Sequence, residues 1–215
     1  MQIAILLYDR FTALDAVGPY EILGRTPGAE TVFVAERAGL VRNDNQGSLG
    51  LAADRTLGEV LRPDIVVVPG GPGQTRQMDN AAVLDWLRAV DATSTWTTSV
   101  CTGSLLLAAA GLLNGRRATS HWLALDHLAT FGARPTGERV VFDGKYVTAA
   151  GVSSGIDMGL ALLGRIAGDE RAQAVQLLTE YDPQPPYGAG SPDKAPAHLV
   201  EEFRAASRFG PADQN

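Results

Sequence analysis

Short apolar runs alternate along the chain with stretches whose apolar residues recur every three or four positions. Residues 3–7, 31–35, 64–68 and 96–100 are apolar or β-branched with little alternation. Such runs predict strands buried on both faces. Between them, Val17, Tyr20, Ile22 and Leu23 suit a first helix, and Val83, Leu84, Leu87 and Val90 an amphipathic one over 81–90. Further helices are predicted over 105–110, ended by Gly111, and over about 122–131, ended by Gly132. A long one runs to about Ile166 with Ser153 or Ser154 as N-cap, then come one from Asp169 to about Glu180 and a last one over 198–208. Residues 139–148 alternate around Asp143-Gly144 and predict a hairpin. The mixed stretch 38–53 reads as loop with short hairpin strands, and 56–61 as a short helix closed by Pro63. Residues 182–196 are too rich in proline for helix or central strand. Strands separated by helices predict an α/β fold, a parallel-sheet sandwich with helices on both faces. No repeat or break divides the chain, so residues 1–215 read as a single domain, with a C-terminal helix and tail over about 197–215.

With 45% apolar and 20% charged residues, there is ample material for a core. A net charge of −6 argues against nucleic-acid binding, which calls for a basic face. The single cysteine excludes an internal disulfide framework and suits a reducing compartment. Three histidines and that cysteine show no metal-ligand spacing, so no metal is expected. The N-terminus lacks a basic leader, and no apolar run reaches the ~18–20 residues needed to span a bilayer. The expectation is a soluble cytoplasmic protein with no membrane or nucleic-acid partner.

Candidate chemistry gathers where strands end. The run 96–100 passes through Cys101-Thr102-Gly103-Ser104 into a helix, the layout of a nucleophile elbow. Unpaired N–H groups of the helix start favour an anion there, so the Cys101 thiol is expected to ionise readily. The competing reading is a buried, inert cysteine. Val68 runs into Pro69-Gly70-Gly71-Pro72-Gly73, either a tight turn or a backbone donor for a developing anion. No Gly-Lys-Ser/Thr follows, which excludes a phosphate loop. Asp15 taken alone reads as a helix N-cap or first-turn acid, and His121 as a satisfied structural histidine. In open parallel sheets, however, sites form beyond the carboxyl ends of strands, and Asp15, Gly70-Gly71 and Cys101 all lie at such ends.

Together, Leu14-Asp15, Gly18-Pro19, Pro69-Gly70-Gly71 and Val100-Cys101-Thr102-Gly103 resemble the ThiJ/PfpI superfamily, whose fold is flavodoxin-like and of the class I glutamine-amidotransferase type. Ser99 to Ser104, Arg117 to Trp122 and the segment 180–196 are similar to its isonitrile hydratase branch, and the likeness stops short only of about the last dozen residues. That resemblance implies hydration of a small-molecule isonitrile to an N-substituted formamide without a cofactor. On this chain it implies Cys101 as nucleophile, Asp15 as general acid/base and Thr102 as helper, with the N–H groups of Gly71 and Thr102 as donors near the sulfur. Gly70, His121 and Ile156 are candidates for the pocket wall. A homodimer is implied as well, and the segment 182–196 is expected to wall the pocket or to pack on a partner. Peptidase-like members carry histidine after the cysteine, where this chain has Thr102; many members carry glutamate where it has Asp15. A glyoxalase, deglycase or other thiol-dependent hydrolase, or a thiol-based sensor, would share the same elbow. The chain ends soon after Arg208, so the DNA-binding region of regulator relatives is not expected.

Overall fold

A computed structural model describes residues 1–209. The first buried run forms β1 (Gln2–Leu6), which leads through helix α1 (Ala13–Leu23) to β2 (Glu30–Ala35). A small antiparallel pair, β3 (Gly39–Arg42) and β4 (Gly50–Ala53), and the two-residue β5 (Arg55–Thr56) precede β6 (Ile65–Val68). The one-turn α2 (Gln74–Gln77) and α3 (Ala81–Asp91) lead to β7 (Trp96–Val100) and α4 (Gly103–Ala109). β8 (Arg117–Ala118) pairs with β9 (Arg134–Pro135), and the hairpin of β10 (Val140–Asp143) and β11 (Tyr146–Ala149) follows. Helices α5 (Ser154–Ala167), α6 (Asp169–Leu178) and α7 (Ala197–Ala205) complete the described chain; the last part of the expected C-terminal tail, 210–215, lies outside the described residues.

The main sheet has the order β10-β11-β7-β6-β1-β2-β5. All its pairs are parallel except the hairpin at one edge. From β1 the chain steps one way to β2; from β6 it steps the other way to β7 and β11. Right-handed crossovers therefore put α1 on one face and α3 and α4 on the other. Helix α5 packs on α1 and on α6, while α4 packs on α2 and α3, giving the two helical layers of a flavodoxin-like, glutamine-amidotransferase-type sandwich. Ile3, Ile5, Leu6, Ile65 and Val67 have no exposed surface, which explains why their runs lack alternation.

Several local expectations are corrected. Residues 125–131 form a 3-10 segment capped by left-handed Gly132 (φ 77°), not an α-helix from residue 122. The helix over 56–61 contracts to a 3-10 turn, Leu57–Glu59, with a capping box between Thr56 and Glu59. On α3, Trp86 takes a buried position and donates its indole N–H to Val60 O (2.8 Å), while Leu84 is half-buried. Ser153 stands at the start of α5 without capping it; its hydroxyl instead accepts from Arg139 (3.2 Å).

Candidate active site

Cys101 sits in the turn between β7 and α4 with φ 59°, a left-handed conformation uncommon for a side-chain-bearing residue. Its surroundings hold that conformation from both sides. The Cys101 N–H donates to Ala149 O (3.0 Å) and Ala150 O (2.8 Å), beyond the end of β11. Its carbonyl accepts from the hydroxyls of Ser104 (3.2 Å) and Ser120 (3.1 Å). The side chain is nearly enclosed, with the residue 5% exposed.

Asp15 lies in the first turn of α1, as one local reading has it; the N-cap position belongs to Thr12 instead. The residue is wholly buried, and its Oδ2 accepts from Gly70 N–H (2.9 Å). Its Oδ1 is also buried and has no hydrogen-bond partner, and the Cys101 thiol adjoins the carboxyl group. An unpaired buried carboxyl oxygen is costly, and such groups tend to sit where a proton is moved. Gly70 makes the approach possible: a Cβ there would lie 2.5 Å from Thr102 N and 3.0 Å from Asp15 Oδ2. The next residue, Gly71, has φ 128°, and a Cβ on it would meet Thr12 N at 2.5 Å.

The Gly71 N–H donates to Thr102 Oγ1 (3.0 Å) rather than to the sulfur. That corrects its expected role: the amide fixes the buried threonine hydroxyl. The amides that act on the sulfur are those of Thr102 and Val152. Val152 was not read from the sequence. It follows Gly151 after β11 and has φ 23°, unusual for a β-branched residue. The hint available was a glycine just past a strand that pairs with β7.

Charges in the cluster oppose the expected easy ionisation. Burial first, then the Asp15 charge, pushes the Cys101 thiol well above its ordinary range; the Val152 and Thr102 N–H groups pull against this and lose. Burial also raises Asp15, to about 7, against the lowering hydrogen bonds of Gly70 and Cys101, with the Asp44 charge adding to the rise. The resting pair therefore keeps its proton on sulfur, with a carboxyl group poised near neutrality to take it. Asp44 is held by the Thr12 hydroxyl (2.6 Å). Two further neighbours were not read as site residues. Tyr8, at the end of β1, donates its phenol to Pro69 O (2.7 Å), and Arg208 reaches in from beyond α7.

His121 is half-buried, and its ring lies over Gly151. Its Nδ1 accepts from Leu123 N–H (3.3 Å); burial, then the Arg208 charge, lowers its pKa. With Trp122, Pro192, Leu199 and Phe203 it lines a largely apolar cavity of about 420 Å³. The proline-rich segment thus walls a cavity. Of the three candidate wall residues only His121 lines this cavity: Gly70 lies inside the cysteine–aspartate cluster, and Ile156 sits in the seam between α5 and α1, against Gly18. A more open hollow of about 800 Å³ beyond β1 and β2 shares only Tyr8 with the cysteine cluster. Among the described residues no three His, Cys, Asp or Glu side chains could hold a metal ion together, and no helix is long and apolar enough to cross a membrane.

The profile of the DJ-1/PfpI family matches residues 1–165. Isonitrile hydratase of Pseudomonas putida is 42% identical over 204 residues, which cover 95% of this chain and 89% of that protein. The crystal structure of a ThiJ/PfpI family protein from Pseudomonas syringae superposes with a TM-score of 0.93 at 39% identity, covering 97% of this chain and 86% of that one. The HTH-type transcriptional regulator CdhR of Pseudomonas aeruginosa is 33% identical over 135 residues, 62% of this chain but 39% of the regulator.

Proposed function

The chain belongs to the DJ-1/PfpI family, and from that premise we propose that it is an isonitrile hydratase, adding water to R–N≡C to release an N-substituted formamide. The observation that carries this reading, beside the likeness to the Pseudomonas putida enzyme, is the buried Asp15 Oδ1 left without a partner next to the only thiol. Isonitrile carbon accepts a nucleophile when a proton is supplied along with it. Asp15 takes the S–H proton and passes it to that carbon as the sulfur attacks, so one S–C and one C–H bond form. The product is a thioimidate, R–N=CH–S–Cys101. Asp15 next takes a proton from water; the oxygen adds to the same carbon and the nitrogen gains a proton. The resulting R–NH–CH(OH)–S–Cys101 collapses as the S–C bond breaks, with the hydroxyl proton returned through Asp15 to the departing sulfur. The N–H groups of Thr102 and Val152 stabilise sulfur whenever it carries charge, and Thr102 keeps its hydroxyl fixed beside it through Gly71.

Incubation with a simple alkyl isonitrile is expected to yield one formamide per isonitrile consumed, followed by chromatography with mass detection. Lactate from methylglyoxal with no formamide from any isonitrile would replace this reading by glyoxalase-type chemistry on the same cysteine.

The proposal extends to a homodimer in the reducing cytoplasm. Leu177, Leu178 and Tyr187 are 79%, 67% and 81% exposed, apolar area that a second copy would cover. Light scattering after size exclusion is expected to give twice the chain mass of 22.7 kDa; a single-chain mass at micromolar concentration would remove the dimer.

A further inference from the structure

The turn that carries Gly70, Gly71 and Pro72 is gripped from two sides. Its N–H side serves the reacting groups, Gly70 on Asp15 and Gly71 on Thr102. Its carbonyl side faces Arg208, whose Nη1 donates to Pro72 O (3.0 Å) and Nη2 to Gly71 O (3.2 Å) and to Gln74 Oε1 (3.1 Å). Arg208 is an exposed residue, but Gln74 is 1% exposed, so one of the acceptors that fix the guanidinium is buried. The segment around Arg208 is itself anchored. Phe209 packs on His127 (5.8 Å between rings), the Arg208 guanidinium lies 4.6 Å from the Phe209 ring, and Arg204 stands over Trp122.

We propose that Arg208 is a positioning residue of the cysteine site, holding the Gly70–Pro72 turn in the one orientation that aims its amides at Asp15 and Thr102 and bringing a positive charge to the back of that turn. The inference rests on the cysteine–aspartate site of the proposed function, and not on isonitrile being its substrate. Gly70 and Gly71 have no side chains with which to brace the turn, so its bracing comes from outside. A planar fork can reach three separate acceptors at once, which an ammonium on a single carbon cannot do as rigidly. The charges that face the pair are Asp15 itself, Asp44 from the β3–β4 loop, the Tyr8 phenol after β1, His121 across Gly151, and Arg208, whose own charge also meets that of Arg10. Asp44 opposes charge on Asp15, whereas the guanidinium and a charged sulfur favour one another.

Because Cys101 is the only cysteine, its alkylation by iodoacetamide can be followed by intact mass without ambiguity and without any isonitrile. In Arg208→Gln the alkylation rate at a fixed pH is expected to fall about tenfold, the size of effect that a lost opposite charge produces. Formamide kcat is expected to fall about tenfold with KM little changed, as for an interaction made in the transition state. Arg208→Lys is expected to restore most of the alkylation rate, because charge returns, while kcat stays low, because the fork does not. A Gln variant with the wild-type alkylation rate and unchanged kcat overturns the proposal. So does a Lys variant restored in both readouts, since a point charge would then suffice; this comparison also decides the matter if the Gln variant unfolds. A wild-type protein that makes no formamide removes the hydratase reading alone, because the alkylation arm still reports on Arg208.

Discussion

Cys101→Ala is expected to fold and to make no formamide above the uncatalysed background. The sulfur is the one atom in the cluster able to form the covalent intermediate; Thr102 has a hydroxyl, but Gly71 holds it, and no strong base adjoins it. The fold should tolerate the change, because alanine removes one atom from an enclosed site and leaves the backbone bonds to Ala149, Ala150, Ser104 and Ser120 in place. Activity and thermal melting measured on the same preparation separate the two effects. Formamide formed by the alanine variant at the wild-type rate would mean that water adds directly to the isonitrile and that cysteine takes no covalent part.

The second large effect is expected at Asp15. Asp15→Asn keeps an oxygen for the Gly70 N–H but cannot carry a proton back and forth, and a positioned acid/base contributes about 10²–10⁴-fold in rate. Because Asp15 is raised to about 7 and must be ionised to accept the thiol proton, wild-type kcat/KM is expected to rise through that pH, and the step is expected to vanish in the asparagine variant. Stability should move the other way. The folded pKa lies above the unfolded value of 3.8, so the unfolded chain ionises first; the stability present below the unfolded value is progressively lost as pH rises toward about 7. Asparagine carries no such charge. Its unfolding free energy relative to wild type should therefore be higher at pH 8 than at pH 4, by a few kcal/mol at most (roughly 1.4 kcal/mol per pKa unit), and thermal melting at the two pH values checks this. An asparagine variant as active as wild type, with the same pH profile, would require another base.

Much of this site was legible in the chain because its scaffold is local. A run such as Ile65–Val68 announces a central strand by itself, the glycines after it announce a close approach, and a cysteine between a strand and a helix announces an elbow. What the pattern could not show was direction. Nothing in residues 12–23 tells whether Asp15 caps its own helix or turns inward to Gly70; that depends on room left by a glycine far along the chain. Val152, Tyr8 and Arg208 escaped for the same reason, since each reaches the sulfur's surroundings from a different strand end or from the far end of the chain. The sign of the thiol shift was misjudged on magnitude. A helix start is visible in sequence and favours the thiolate, but α4 has seven residues, whereas burial and an adjoining carboxylate appear only in three dimensions and outweigh it.

The cysteine–aspartate cluster and the apolar cavity beside His121 are drawn from different stretches of polypeptide. Asp15, Gly70, Gly71, Cys101, Thr102 and Val152 all precede residue 153, while Pro192, Leu199 and Phe203 bring much of the apolar wall. Exchange of residues 182–206 between relatives would therefore reshape that cavity while every residue of the cluster stays unchanged, as long as the arginine that follows keeps its hold.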